Sequence, residues 1–530
     1  MTLTLMDWFC GAGGSSQGAH AVPGVHVARA ANHWDKAIES HASNFPQADH
    51  YKGDIRDAPV ENWPACDIFW ASPECTKWSR ARGKKRDFHN TRQVELFAKE
   101  KVITGKALAE EMQRQREEEE RSRALMDEVP KYLEGVQRRG GLVLAGVVEN
   151  VIDEREWDEW YRWLADIHIL GYRTRVIALN SMHAQPARML IAPQSRDRLY
   201  VAYWHRSLGR DPDWDKWIRP QAWCGKCEEM VAAVQVFKRQ GADMGRYRQQ
   251  YTYRCPRTSC RHAVVEPAVL PAAYAIDWSI AGKRIGDRAK PLAEATMERI
   301  RAGMERYWAP LLTPAGGTWR DGATPVTSVM PTRTTTESDG LAVPPLFVPV
   351  EGRDGKVASL AVEPMRTQTT RNETGLAWLP FITELRGGGS DARSVADAFA
   401  AFCAAGQHHA LTALPAQSGE HLLVPYYGEG EAYPTSRPVG AFSCRDRFAL
   451  ASPSVDIEDV LFRMLEPHEI GRGMAFASDY VVVGNKRQKV RQYGGAVTPP
   501  VGEVLVSALA ECITGEDLDR GFTTALAGVA

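Results

Sequence analysis

The feature that most constrains the fold is a recurring order of elements: an apolar strand, a polar or glycine-bearing turn, then a helix, repeated through the first 205 residues. LTLMDW runs into FCGAGG and then SSQGAHA; HVARAANHW runs into DKAIESHASNF; CDIFWASPEC is a buried strand ending in a Pro-Glu-Cys turn. LVLAGVVENV and RTRVIALN follow as strands, with EWDEWYRWLADIHIL helical between them. Strands alternating with helices of this length specify a doubly wound α/β sheet covered on both faces. In such sheets ligands collect beyond the carboxyl ends of the strands, so the residues there are the first candidates for chemistry.

At 530 residues the chain exceeds one ordinary core, and its character changes after the α/β region. A cysteine-bearing insert occupies about Trp223 to Cys260. Pro, Thr and Gly punctuation with short β-prone runs then extends to about Ser454. That stretch holds a loose internal repeat: PMRTQTTRNETGL (Pro364 to Leu376) resembles PVGAFSCRDRFAL (Pro438 to Leu450). PTRTTTESDGL (Pro331 to Leu341) is a shorter relative, and Ser394 to Leu411 a degraded one. Repeated turn-plus-strand units predict a small β-rich module. The ending, RMLEPHEIGRGMAF, GNKRQKVRQYGGAVTPP and VGEVLVSALAECI, returns to α/β character. No uninterrupted apolar run reaches bilayer-spanning length, and MTLTLMDWFCGAGG lacks the basic start and apolar stretch of a secretory signal. A cytoplasmic protein is expected.

A net charge of -1 does not exclude a nucleic-acid partner, because phosphate affinity follows local clustering of Lys and Arg. The basic stretch Arg80 to Arg86 lies just after Cys75, and the acidic run Glu117 to Glu120 lies farther on. Four of the ten cysteines stand apart as Cys224-x2-Cys227-x27-Cys255-x4-Cys260, the pattern of a structural zinc ribbon closed by four thiolates. Lys238, Arg239, Arg246, Arg248, Arg254, Arg257 and Arg261 crowd the same segment. The module therefore reads either as a zinc-braced phosphate-contacting surface or as a folding staple.

DWFCGAGG, between a strand and a helix, brings backbone N–H groups close to a ligand. Asp54 in GDIRD reads as an acceptor for an adenine amino group or as a helix cap, and Trp34 as a platform for the same ring. Cys75, in a turn at a strand end before a basic segment, is placed where thiolate character is favoured, though most lone cysteines are inert core residues. Glu149 and Asn150 end a strongly apolar strand, an expensive place for a carboxylate without a task. Arg196 and Arg198 start another strand as a rigid donor pair. Cysteine, glutamate and arginine at separate strand ends make a constellation for nucleophilic attack on a ring that must be held and protonated.

The ordered series DWFCGAGG, ANHWDK, GDI, SPECTKWS, VENV, PQSRDR, RMLEPHE and GGAVTPP resembles the motifs of DNA cytosine-C5 methyltransferases, over roughly residues 5–205 and 460–512. The TTR-type repeats and the PECT variant look most like bacteriophage and actinobacterial members. The resemblance implies a Rossmann-like α/β fold dependent on S-adenosylmethionine, acting on double-stranded DNA as a monomer. By the same resemblance Cys75 adds to C6 of a flipped-out cytosine, Glu149 holds N3 and the exocyclic amine, and Arg196 and Arg198 steady the base. Phe9, Gly11, Gly14, Trp34, Asp54 and Ile55 match the positions that hold the cofactor. The implied domains are residues 1–206 as catalytic core, 207–265 as zinc-ribbon insert, 266–458 as target-recognition region, and 459–530 as a segment completing the core.

Three positions depart from the family pattern: His33 where an acidic residue meets the ribose, Glu74 where Pro precedes the nucleophile, and Gly495 where Asn stands in the last motif. All three border the cofactor or the transfer site. The alternatives kept beside plain methyl transfer to DNA are therefore a modified cofactor, an RNA cytosine substrate, and an inactive DNA-binding relative.

Overall fold

The computed structural model describes residues 2–73, 125–270, most positions from 274 to 297, short strands between 311 and 464, and residues 465–520. The chain divides into two compact units. The first comprises Met1–Ile276, Asp397–Gln407 and Glu466–Ala530, and the second Asp277–Ala396 and His408–Leu465.

The first unit is built on a seven-stranded sheet. Its chain order is β1 (Leu3–Trp8), α1 (Gly14–His20), β2 (Val25–Asn32), α2 (Asp35–Asn44), β3 (Asp49–Lys52) and β4 (Ile68–Ala71). A helix α3 through residues 125–138 follows, then β5 (Ala145–Asn150), α4 (Trp160–Ile169), β6 (Tyr172–Asn180) and β7 (Asp197–His205). The spatial order is β3-β2-β1-β4-β5-β7-β6, parallel as far as β5, with β7 antiparallel to both its neighbours. This is a doubly wound, Rossmann-like α/β sheet.

Alternate residues of each central strand enter different cores, as a sheet covered on both faces requires. Leu3, Leu5, Ile68, Trp70 and Val147 join one cluster; Met6, Trp8, Phe69, Ala71 and Val148 join the other. The second face is covered by α3 and α4 through Val129, Tyr132, Leu133, Trp160 and Trp163. The first is covered by the C-terminal segment, where α5 (Lys486–Gly495) precedes α6 (Pro499–Thr514). Val501, Val504, Leu505, Ala508 and Leu509 of α6 share the core of β1. Lys486–Thr514 has the length and hydropathy of a membrane span, yet its most apolar window is 94% buried within the fold. Its hydrophobicity is used up in the core.

Contact between α1 and α6 is close enough to dictate glycine. A Cβ at Gly18 would stand 2.1 Å from the Pro499 carbonyl oxygen, and one at Gly14 1.9 Å from that of Val497. Buried Glu503 of α6 ties down a loop by accepting the backbone N–H groups of Ala187, Arg188 and Met189 at 2.8, 2.8 and 2.9 Å.

In the second unit the loose sequence repeat becomes a regular topology. Leu311–Pro314 pairs antiparallel with Thr324–Pro325 and Asp339–Ala342. Leu346–Pro349 pairs likewise with Ser359–Leu360 and Thr374–Ala377, and Leu422–Pro425 with Tyr433–Pro434 and Phe448–Ala451. Phe381–Glu384 repeats the pattern with Ala392–Ser394 and His409–Ala413 inside a five-stranded sheet. In each unit the first strand in sequence is the middle strand in space.

Candidate active site and metal centre

The ends of β1, β2 and β3 are brought level by register. Trp8 pairs with Ala31, and Asn32 with Lys52. Beyond Trp8 the chain turns sharply, with Phe9, Gly11 and Gly13 at φ of 58, 53 and 88°. Phe9 in the left-handed region is strained, and its half-buried ring packs against the core holding Met6 and Trp8. Gly14 needs its missing side chain for contact with Val497, as described above.

At the end of β2, the Asn32 side chain accepts the Trp34 backbone N–H at 2.9 Å. His33 is exposed and Trp34 half-buried, with the Arg491 guanidinium of α5 at 4.5 Å from the Trp34 ring centroid. Asp54 caps the short 3-10 turn Ile55–Asp57, accepting Arg56 N–H at 3.0 Å, and also pairs with the Arg56 side chain. That hydrogen bond holds the Asp54 carboxyl below its ordinary range. Ile55 is buried. The structure thus places Phe9, Gly11, Gly14, His33, Trp34, Asp54 and Ile55 at one rim of the sheet. Of its two readings, Asp54 displays the cap.

Strand β4 lies between β1 and β5 and delivers the chain to Ser72, whose N–H donates to the Trp8 carbonyl at 3.1 Å. Glu74, Cys75 and the basic stretch Arg80 to Arg86 lie outside the described residues. On the far side of β4, Glu149 stands at the end of β5, 9% exposed, with Oε1 at 3.2 Å from Arg198 Nε. Arg198 Nη1 also donates to the Asp197 carbonyl at 2.9 Å.

Arg196 faces a different task. Its guanidinium donates to the carbonyls of Gly494 and Ala496 at 3.2 and 3.1 Å, gripping the backbone on either side of Gly495. Two arginines two residues apart, Arg196 just before β7 and Arg198 within it, therefore divide their work: Arg198 meets the Glu149 carboxylate and Arg196 fastens the GGAVTPP segment.

Sequence reasoning missed a polar chain beneath the glycine turn. Asp7 is fully buried in β1 and accepts Ser15 and Ser16 hydroxyls, both at 2.6 Å. Ser16 Oγ lies 2.9 Å from His41 Nε2, and His41 Nδ1 2.8 Å from His50 Nε2. One assignment satisfies every link: Ser16 donates to Asp7, His41 to Ser16, and His50 to His41. Burial pushes Asp7 up to about 6 and His41 down to about 3. Tyr480 completes the support by donating to the Ala12 carbonyl at 2.6 Å. A carboxylate in an apolar strand was the available signal, the same one that marked Glu149.

Cys224, Cys227, Cys255 and Cys260 converge, with their sulfur atoms all within 4.8 Å of one another. None is in a disulfide, and all but Cys227 are buried. Four free thiols this close fit a tetrahedral ion, whose thiolates at about 2.3 Å stand about 3.8 Å apart. The donor set is therefore consistent with structural zinc. The surrounding basic residues are less available than their number suggests. Arg246 pairs with Asp153 at 2.6 Å, Arg248 with Glu266 at 3.1 Å, and Arg257 with Glu229 at 3.0 Å.

Residues 3–106 match the family model described as C-5 cytosine-specific DNA methylase. No curated protein matches the sequence. Among solved structures, the chain is similar to S. pombe Dnmt2 methyltransferase at 11% identity and a TM-score of 0.44, covering 97% of this chain and 100% of that one. Spodoptera frugiperda DNMT2 gives 12% identity and 0.40, over 96% and 100% of the two chains. A prophage-encoded E. coli protein described as a DNA modification methyltransferase gives 13% and 0.40, over 97% and 99%.

Proposed function

We propose that this chain, a member of the C-5 cytosine methyltransferase family by its residues 3–106, methylates C5 of cytosine in duplex DNA. S-adenosylmethionine, the cofactor of the family, supplies an electrophilic methyl group. Phe9, Gly11, Trp34, Asp54 and Ile55 on the rim of β1 to β3 are the residues proposed to hold it, with His33, Glu74 and Gly495 bordering it. The Cys75 thiolate forms a bond to C6 of a cytosine rotated out of the stack, and the C5–C6 electron pair becomes nucleophilic at C5. The Glu149 carboxyl group donates a proton toward N3 and accepts from the exocyclic amine, so the ring accepts the added electron density. Arg198 fixes the carboxylate and faces the base oxygen, while Arg196 keeps the Gly495 segment in place. Once C5 carries the methyl group, its proton leaves to a base, the C5–C6 double bond re-forms and the thiolate departs with its electrons.

The observation that carries this reading is the pairing of buried Glu149 with half-buried Arg198, 3.2 Å apart, one strand away from β4 and two from the glycine turn. A buried carboxylate paired and aimed from a strand end suits recognition of an amidine-like base edge. Duplex DNA is favoured over RNA by the repeated β-rich region between the PQSRDR and RMLEPHE motifs, since reading base edges in a groove needs an added surface. In domain terms, residues 1–206 and 459–530 would form the catalytic part, 207–265 the metal-held insert and 266–458 the recognition region.

Nucleoside mass spectrometry of DNA and RNA from expressing cells tests the proposal. The expected result is 5-methylcytosine in the DNA fraction, dependent on Cys75. Product confined to RNA would replace the substrate, another C5 substituent would replace the cofactor, and unchanged product after Cys75→Ala would remove the mechanism.

A further inference from the structure

The four-cysteine module is fastened to the catalytic sheet beside both arms of the Glu149–Arg198 pair. On one arm, Asp197 Oδ1 accepts the Tyr247 N–H at 3.1 Å and the Tyr251 hydroxyl at 3.2 Å. The carbonyl of the same Asp197 accepts Arg198 Nη1 at 2.9 Å. On the other arm, the turn that follows Glu149 is held by Asp153 to Arg246 at 2.6 Å and by Arg155 to Asp243 at 3.0 Å. His183, between the arms in sequence, is buried edge-on against Tyr247 and Tyr253, with ring centroids 4.4 and 5.0 Å away. The gripping residues all lie between Cys227 and Cys255, and the strand Tyr251–Arg254 leads directly into Cys255. Closing four thiols on one ion would set the shape of this segment.

We propose that Asp197 is a positioning residue through which the metal-held module aligns Arg198, and hence Glu149, on the target base. The inference rests on the function proposed above. Asp197 suits the role because its side chain belongs to the module's hydrogen bonds and its carbonyl to Arg198. A module that were only a folding staple would have no reason to converge on this residue. Misplacing Arg198 by a fraction of an ångström would slow the chemical step without touching the cofactor rim on the other side of β4.

The test uses the full chain and unmodified bacterial genomic DNA, with metal content measured by colorimetric release and S-adenosylhomocysteine binding by calorimetry. Asp197→Ala is expected to lower kcat about tenfold or more, with cofactor KM, S-adenosylhomocysteine affinity and metal content unchanged. Asp197→Asn keeps an oxygen that accepts both bonds from the module and should restore most of the rate. Cys227→Ser should lower kcat on losing the metal, and adding Asp197→Ala to it should cost nothing more, because both act through one connection. If Cys227→Ser does not fold, Tyr251→Phe takes its place, with a smaller fall in kcat that is likewise not multiplied by Asp197→Ala. Wild-type kcat in Asp197→Ala, losses that multiply in the double variant, or a fall in kcat accompanied by metal loss or weaker S-adenosylhomocysteine binding would each overturn the inference. A wild-type chain that modifies neither DNA nor RNA refutes the proposed function instead; an active wild type indifferent to Asp197 refutes this inference alone.

Discussion

Glu149 and Asp7 are both carboxylates in apolar parallel strands, and their surroundings separate their roles. Glu149 ends its strand against a guanidinium, whereas Asp7 is sealed beneath the glycine turn and spends itself on two serines. Removing the Glu149 carboxylate should therefore impair the reaction more than the fold. Glu149→Gln is expected to lower kcat about a hundredfold or more while S-adenosylhomocysteine binding by calorimetry stays intact. Arg198→Lys should also be slow, since an ammonium cannot reproduce contacts from two guanidinium nitrogens to Glu149 and Asp197.

The buried histidines give a second prediction at the residue scale. Burial pushes both His41 and His183 down to about 3, so both stay neutral in the folded chain when the unfolded chain has begun to bind protons. Their folded values lie below the unfolded one, so stability falls as pH drops from about 6.5 toward 3. Asp7, raised to about 6, opposes this, because its protonation in the folded state offsets part of the loss between about 6 and 4. Urea midpoints measured at pH 7.5 and pH 5 should show the net loss. His183→Phe should reduce it, since His183 Nδ1 makes no hydrogen bond among the described residues and its ring already packs edge-on against two tyrosines. A loss of stability unchanged by that substitution would contradict the assignment.

At the scale of elements, the sequence was legible where one period dominated. The α/β alternation is plain because each central strand fills two cores, leaving long apolar runs bounded by turns. Asp54 was ambiguous because one short carboxylate serves equally as a cap or as a ligand; its contacts with Arg56 supply the cap. The repeat was read from three segments, Pro331 to Leu341, Pro364 to Leu376 and Pro438 to Leu450, the first two rich in Thr, whose last residues enter the third strand of a repeat. The first strands, LLTP, LFVP and LLVP, are too short to announce themselves, yet they lie in the middle of each sheet. On one side of each, the partner strand lies roughly 25 to 30 residues away in sequence, a pairing that local periodicity does not encode. The packing of α1 on α6 yields a sharper expectation. Gly18→Ala forces a methyl group against the Pro499 carbonyl and the Glu503 nitrogen, 2.1 and 2.6 Å away. Overpacking of this kind costs about 1–3 kcal/mol, which should appear as a lower urea midpoint with an unchanged slope. An unaffected midpoint would mean that the two helices separate at little cost.

For the whole molecule, residues distant in sequence meet at the catalytic sheet. Glu466–Ala530 belongs to the unit that begins at Met1, and so does Asp397–Gln407, whose Phe399–Ala400 pairs in parallel with Gln194–Ser195 immediately before Arg196. The four-cysteine segment belongs to that unit as well; Arg246 ties it to Asp153, while Arg248 and Arg257 pair with its own neighbouring Glu266 and Glu229. This long-range traffic explains why motif order was readable while the tasks of Arg196 and Arg198 were not. One fastens the C-terminal segment and the other faces the carboxylate, and a dipeptide spacing does not distinguish them. Metal removal should act on the same scale: stripping the ion with a chelator is expected to lower the thermal midpoint and the transfer rate together, and zinc should restore both. The proposed reaction begins with attack of Cys75 on cytosine. The most direct measurement is covalent capture on DNA from cells grown with 5-aza-2′-deoxycytidine, whose altered base retains an enzyme that has added to C6. A protein–DNA adduct that survives detergent is expected for the wild-type chain and not for Cys75→Ser. An adduct that persists in Cys75→Ser, or maps to another cysteine, would contradict it.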